Sequence, residues 1–178
     1  HCRGNPHLGL HPGSGSGSPT IRYCTSEQNG RIGLFLCWRV KYGTFENNKL
    51  LDNGVTGISI GHKDTDNTFK NNRACGNGRE GILFRNESEA MAGHRNLFDR
   101  NDILDNGSDE EGYGVRVLGE TNELIFMNNR IGNEGTSNQR YGFYVGEKAG
   151  QLALSNNELS GHLESDLHYE NQTLDPAD

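Results

Sequence analysis

The chain has 178 residues, 31% of them hydrophobic, a mean hydropathy of -0.80 and a formal net charge of -7. That length supports one domain, but so little apolar material will not fill a conventional two-layer core. The negative charge disfavours nucleic acid and anionic membrane as partners, and no apolar run approaches the length of a membrane span. The cysteines Cys2, Cys24, Cys37 and Cys75 lack CxxC spacing, which excludes a zinc ribbon and requires no disulfide framework.

What the composition lacks, a repeat supplies. A loose first copy runs through His7–Leu10, Ile21–Cys24 and Gln28-Asn29-Gly30. The phrase then sharpens into Gly33–Trp38, Thr44–Leu50 and Asp52-Asn53-Gly54. It recurs as Gly57–His62, Thr68–Ala74 and Gly76-Asn77-Gly78, and again as Gly81–Asn86, Phe98–Ile103 and Asp105-Asn106-Gly107. Two further copies begin at Gly114 and Gly142, so the opening glycines are 24, 24, 33 and 28 residues apart. Each copy holds three short alternating runs, which read as strands because they are too short for helices.

A lone coil of three strands buries nothing. Stacked coils pair each strand with its equivalent about 4.8 Å away, as parallel ladders. The alignment then predicts inward columns: Leu34/Leu36, Ile58/Ile60, Ile82/Phe84, Val115/Val117 and Phe143/Val145, with Phe45, Phe69, Phe98 and Phe126 as an aromatic column continued by Leu154. Asn48, Asn72, Asn101, Asn129 and Asn157 predict an inward amide ladder at one bend. The Asn-Gly pairs are expected to supply positive φ at a sharp corner. Leucine-rich repeats of similar length need a helical segment that is missing here, and calcium-binding nonapeptides are absent. The reading is therefore an all-β, right-handed parallel β-helix of about six coils with three short strands each. It forms a single domain over residues 1–178, expected to be a piece of a longer β-helix, with 163–178 as a C-terminal cap or tail. Insertions at Asn86–Arg95, Ser108–Glu111 and Thr136–Arg140 are expected on one face or edge, where solenoids often bind ligands.

The phrase Gly-Ile-x-Ile, Asn-x-Ile, Asn-Asn-Gly, from about Leu8 to Leu159, resembles the pectin-lyase-like superfamily of right-handed β-helices. That resemblance implies carbohydrate as the ligand class and a secreted or cell-envelope location. It leaves open whether the chain is a lyase, a hydrolase, a non-catalytic glycan-binding or spacer module, or an enzyme whose catalytic coils lie upstream.

The 24-residue period also acts as a ruler for the outer surface. It stacks Trp38, His62 and Asn86, then Arg39, Lys63 and Glu87, and gathers Asp64, Asp66 and Arg85 beside them. Such a patch suits β-elimination on an acidic, uronate-containing polysaccharide. Lys63, crowded by cations, would act as base, with His62 and Arg85 as the other catalytic groups. Trp38, Arg39 and Asn86 would bind substrate, and Asp64, Asp66 and Glu87 would hold Ca²⁺. Against this stands a plainer reading, in which outward charges on a solenoid are solvated ion pairs. Asp64 and Asp66 loosely match a hydrolase carboxylate pair, but Gly61-His62-Lys63 departs from the Gly-His-Gly of polygalacturonases. His1, His7 and His11 make a copper site chemically conceivable, although a strand at His7–Leu10 argues against it.

Overall fold

Three parallel sheets run the length of the molecule, and the chain visits them in rotation. The computed structural model describes residues 1–135 and 138–171. Sheet one contains Cys2–Arg3, Thr25–Glu27, Lys49–Leu51, Arg73–Cys75, Asp102–Leu104, Arg130–Gly132 and Glu158–Ser160. Sheet two contains Leu8–Leu10, Ile32–Phe35, Thr56–Ile60, Glu80–Phe84, Tyr113–Val117, Tyr141–Val145 and Ser165–Tyr169. Sheet three contains Thr20–Arg22, Thr44–Glu46, Thr68–Lys70, Leu97–Asp99, Ile125–Met127 and Ala153–Ser155. The predicted β-helix is therefore present, with about seven turns rather than six. The extra strand, Ser165–Tyr169, pairs with Tyr141–Val145 and lies within the stretch expected to lose the period. Its polar sequence, Ser-Asp-Leu-His-Tyr, hides the alternation. Residues 172–178 of the expected cap, and Thr136 and Ser137 of the third insertion, lie outside the described residues.

Register follows the sequence ruler across the insertions: Ile58 pairs with Ile82, Ile82 with Val115, and Val115 with Phe143. Phe45, Phe69, Phe98 and Phe126 stack with ring centroids 4.8, 4.5 and 4.7 Å apart, and all four are fully buried. The parallel register holds identical side chains at the strand spacing, which suits offset aromatic stacking.

The amide ladder forms as the repeat predicts. Asn48 donates to Asn72, Asn72 to Asn101, Asn101 to Asn129 and Asn129 to Asn157, at 3.0, 3.0, 2.9 and 2.9 Å. A second ladder, which the sequence reading assigned to turn chemistry, runs through Asn29, Asn53, Asn77, Asn106 and Gln139. Three of the four Asn-Gly pairs thus do a different job from the one expected, while Gly107 does take a positive φ, at 126°. Left-handed φ falls on the residue before each asparagine: Gln28, Asp52, Gly76 and Asp105, at 52°, 51°, 67° and 53°. The following glycine is required by close approach instead. A Cβ on Gly54 would stand 2.3 Å from the Gly30 carbonyl oxygen, and one on Gly78 2.4 Å from that of Gly54.

The insertions occupy two corners rather than one, and both corners border sheet two. Asn86–Arg95 follows strand Glu80–Phe84, makes a 3-10 turn at Glu89–Met91, and is tied down by Arg95 bonding Asp66 at 2.7 Å. Ser108–Glu111 closes on itself through Ser108 N–H to the Glu111 carbonyl, just before Tyr113–Val117.

Candidate functional site

A cleft of about 530 Å³ lies on the outer face of sheet two. One wall is the column His7, Arg31, Val55 and Arg79, whose backbones bond coil to coil. Phe35, Ser59 and Leu83, paired in register, form the opposite side, and Arg85 closes it. Three arginines therefore face one mostly apolar hollow. Arg79 is partly neutralised by the fully buried Glu80, whose carboxylate accepts from Arg79 Nε at 2.6 Å and from Thr56 Oγ1 at 2.7 Å. Arg31 is exposed and has no carboxylate partner among the described residues.

At the end of the cleft, residues from neighbouring coils converge. Arg85 lies over the Phe35 ring at 4.7 Å and donates to Ser59 Oγ at 2.9 Å and to the Leu36 carbonyl at 3.0 Å. Its NH2 group is also 3.3 Å from His62 Nδ1 and 3.5 Å from Asp64 Oδ2. Arg85 Nε is buried without a hydrogen-bond partner among the described residues. His62 Nδ1 also meets Cys37 Sγ at 3.3 Å, while Nε2 reaches Glu87 Oε1 at 3.0 Å. The Trp38 ring stacks on the imidazole, with centroids 5.1 Å apart and planes 20° apart.

Burial governs the electrostatics here. It pushes the Asp64 carboxyl up to about 6, against the opposing pull of backbone bonds from Val40 and Gly61 and of Arg85. Burial also raises the Cys37 thiol, with Arg85 opposing and the Asp64 and Glu87 charges adding to the rise. The same desolvation lowers Arg85, although its acidic neighbours favour its charge.

The structure therefore gathers His62, Arg85, Asp64, Glu87 and Trp38, as the 24-residue ruler predicted, and leaves the other predicted site residues apart. Arg39 and Lys63 sit at left-handed turn positions, with φ of 60° and 64°, and neither side chain bonds to the cluster. Lys63 is thus not placed as the expected base. Asn86 is exposed and faces a neighbouring hollow lined by Leu118, Gly119 and Lys148. Asp64 turns inward to accept from Val40 N–H at 2.9 Å, whereas Asp66 turns out to Arg95. With Glu87 held by His62, the three carboxylates expected to hold Ca²⁺ do not converge and do not fit that ion. Among the described residues, no group of three His, Cys, Asp or Glu side chains is arranged to hold a metal. The three N-terminal histidines are also separate: His1 bonds Glu27, His7 lines the cleft and His11 packs on Phe35.

Sequence reasoning missed Arg31, Arg79, His7, Phe35 and Cys37. The signal was available for the first three, since residues 7, 31, 55 and 79 are separated by the same 24-residue interval. Cys37 carried no such signal, since it was weighed only for its spacing from the other cysteines.

No helix among the described residues is long and apolar enough to cross a membrane. No curated protein matches the chain. Solved structures do. The A-module of the Azotobacter vinelandii mannuronan C-5 epimerase AlgE4 aligns at 24% identity and a TM-score of 0.67, over 84% of this chain and 37% of that one. The A-module of AlgE6 from the same organism aligns at 25% identity and a TM-score of 0.65, over 86% and 40%. The periplasmic alginate epimerase AlgG aligns at 16% identity with a TM-score of 0.78, over 96% and 41%. The chain thus spans about two fifths of each of these proteins. A family model described as the right-handed β-helix region matches residues 1–91, just over half of the sequence. Together with the three-sheet stack, that match places the chain in the right-handed β-helix family.

Proposed function

We propose that the cleft on sheet two takes a stretch of acidic, uronate-containing polysaccharide, and that the chain acts on it by lyase-like β-elimination outside the cytoplasm or in the cell envelope. The observation that carries this reading is the convergence of Arg31, Arg79 and Arg85 on one hollow of an otherwise acidic chain. Guanidinium groups grip carboxylates through paired N–H donors, and neutralising a uronate carboxylate acidifies the adjacent C5 proton. His7 is the one imidazole lining the cleft among the described residues, so it is the base this reading assigns. The apolar side, Phe35 and Leu83, offers a surface for the faces of sugar rings. Neighbours named as mannuronan C-5 and alginate epimerases support uronates as the substrate class, and epimerisation begins with the same C5 proton removal.

The test is ultraviolet absorbance of unsaturated uronate products on polygalacturonate, alginate and glycosaminoglycans, with and without Ca²⁺. Rising absorbance that is lost in His7→Asn and weakened in Arg31→Gln is the expected result. A flat trace from folded protein on every polymer overturns the elimination step, and retention on immobilised polyuronate would then make the chain a binding module. Absence of both signals overturns the whole reading.

A further inference from the structure

We propose that Cys37, His62 and Glu87 form a nucleophile, base and orienting group that transfer acyl groups from O-acyl esters to water. The proton positions follow from Arg85. A guanidinium only donates, so its NH2 group 3.3 Å from His62 Nδ1 requires a lone pair on that nitrogen. The neutral imidazole then carries its proton on Nε2 and donates it to Glu87 Oε1 at 3.0 Å. The single lone pair of Nδ1 is shared between Arg85 and the thiol of Cys37, 3.3 Å away, so Arg85 releases it as the thiol proton is transferred. Each member comes from a different coil, and none is demanded by the repeat. The Trp38 ring against the imidazole fixes its plane and favours the cation that forms when it takes a proton.

Both imidazole nitrogens are occupied within the cluster, so His62 has none to offer a sugar C–H. What it serves is the thiol. The other cysteines lack this arrangement: Cys24 Sγ meets the Arg22 carbonyl, and Cys75 Sγ accepts from Arg73 with no imidazole bonded to it. Because burial raises the Cys37 thiol, the group rests protonated and reacts with base assistance rather than as a standing thiolate.

The step balances without an oxidant. Cys37 Sγ bonds to the ester carbonyl carbon as its proton passes to His62 Nδ1. The Arg85 charge beside the site steadies the developing oxyanion. The carbon–oxygen ester bond then breaks, and the alkoxide leaves with the proton from Nδ1. Water attacks the resulting thioester by the same route, releasing a carboxylic acid and restoring the thiol. Arg85 also closes the sheet-two cleft, so an O-acylated sugar lying there would bring its ester to Cys37. That choice of natural substrate rests on the polysaccharide reading, whereas the acyl transfer itself does not.

The experiment uses the full chain and 4-nitrophenyl acetate, following the nitrophenolate burst and locating the acetyl group by peptide mass spectrometry. The acetyl group is expected on Cys37. Cys37→Ala abolishes the burst, and His62→Ala slows it about 100-fold, the lower range for base catalysis. Glu87 is a positioning residue: Glu87→Gln keeps the burst amplitude, slows its rate and moves its pH dependence. The groups facing the pair during that titration are Arg85, Asp64 and Glu87. Circular dichroism confirms that each variant is folded, and Cys37→Ser provides a variant close in size. Acetylation spread evenly over Cys2, Cys24, Cys37 and Cys75, or a burst that survives in His62→Ala, overturns the proposal. The small ester needs no polysaccharide, so a burst with a flat uronate assay sinks only the cleft reading, and the reverse result sinks only the triad.

Discussion

Asn72 and His62 lie in the same coil and make opposite kinds of contact. Asn72 accepts from Asn48 and donates to Asn101, its own copies in the coils on either side. His62 meets a thiol, a guanidinium, an indole and a carboxylate, none of them another histidine. In a solenoid, contacts between like residues satisfy buried backbone and hold the stack together. Unlike residues that converge from neighbouring coils are unnecessary for stacking, and the proposed chemistry is placed on such a cluster. Cys37, Arg85 and Glu87 belong to the second kind.

Substitutions can break this contrast, and the largest losses are expected inside. Phe98→Ala removes the ring that stacks on both Phe69 and Phe126. It is expected to cost about 3–5 kcal/mol, read as a shifted midpoint in guanidinium unfolding. Asn72→Leu keeps the volume but deprives the Asn48 N–H groups of their shared acceptor and the Phe45 carbonyl of its amide donor, while Asn101 keeps only the backbone N–H of residue 72. A loss of about 2–3 kcal/mol in the same measurement is expected. If Asn72→Leu proves neutral, amide repetition contributes nothing that shape alone does not.

The remaining effect depends on pH and belongs to the buried cluster at the end of the cleft. Asp64 titrates near 6 when folded and near its ordinary 3.8 when unfolded. Between those values the folded state binds the proton that the unfolded state releases, so this group's contribution falls as pH rises. The stability of wild type relative to Asp64→Asn should therefore decline from pH 4 to pH 7. A pH-independent difference would show that the buried carboxyl is ionised throughout.

The fold was legible because its cause is periodic. Every inward column and the strand register survive insertions, since only in-register stacking buries Phe45, Phe69, Phe98 and Phe126 together. The site was half legible. Residue spacing reports height along the stack, which correctly brought His62, Arg85 and Glu87 together. It does not report direction where the backbone turns left-handed. Arg39, His62 and Lys63 all have positive φ, which breaks the alternation that separates inward from outward. That is why Lys63 makes no bond to a cluster its neighbour anchors, and why Asp64 points inward while Asp66 points out.

The column His7, Arg31, Val55 and Arg79 has one more consequence. Arg31 and Arg79 are two coils apart, about 10 Å by the strand spacing, and the backbone ladder fixes that interval between their Cα atoms. On the proposed function, a polymer laid along the cleft would meet a comb of cations, whose teeth would favour chains that carry charge at a matching interval. Selection of this sort would depend on linear charge density before it depended on which sugar carries the charge.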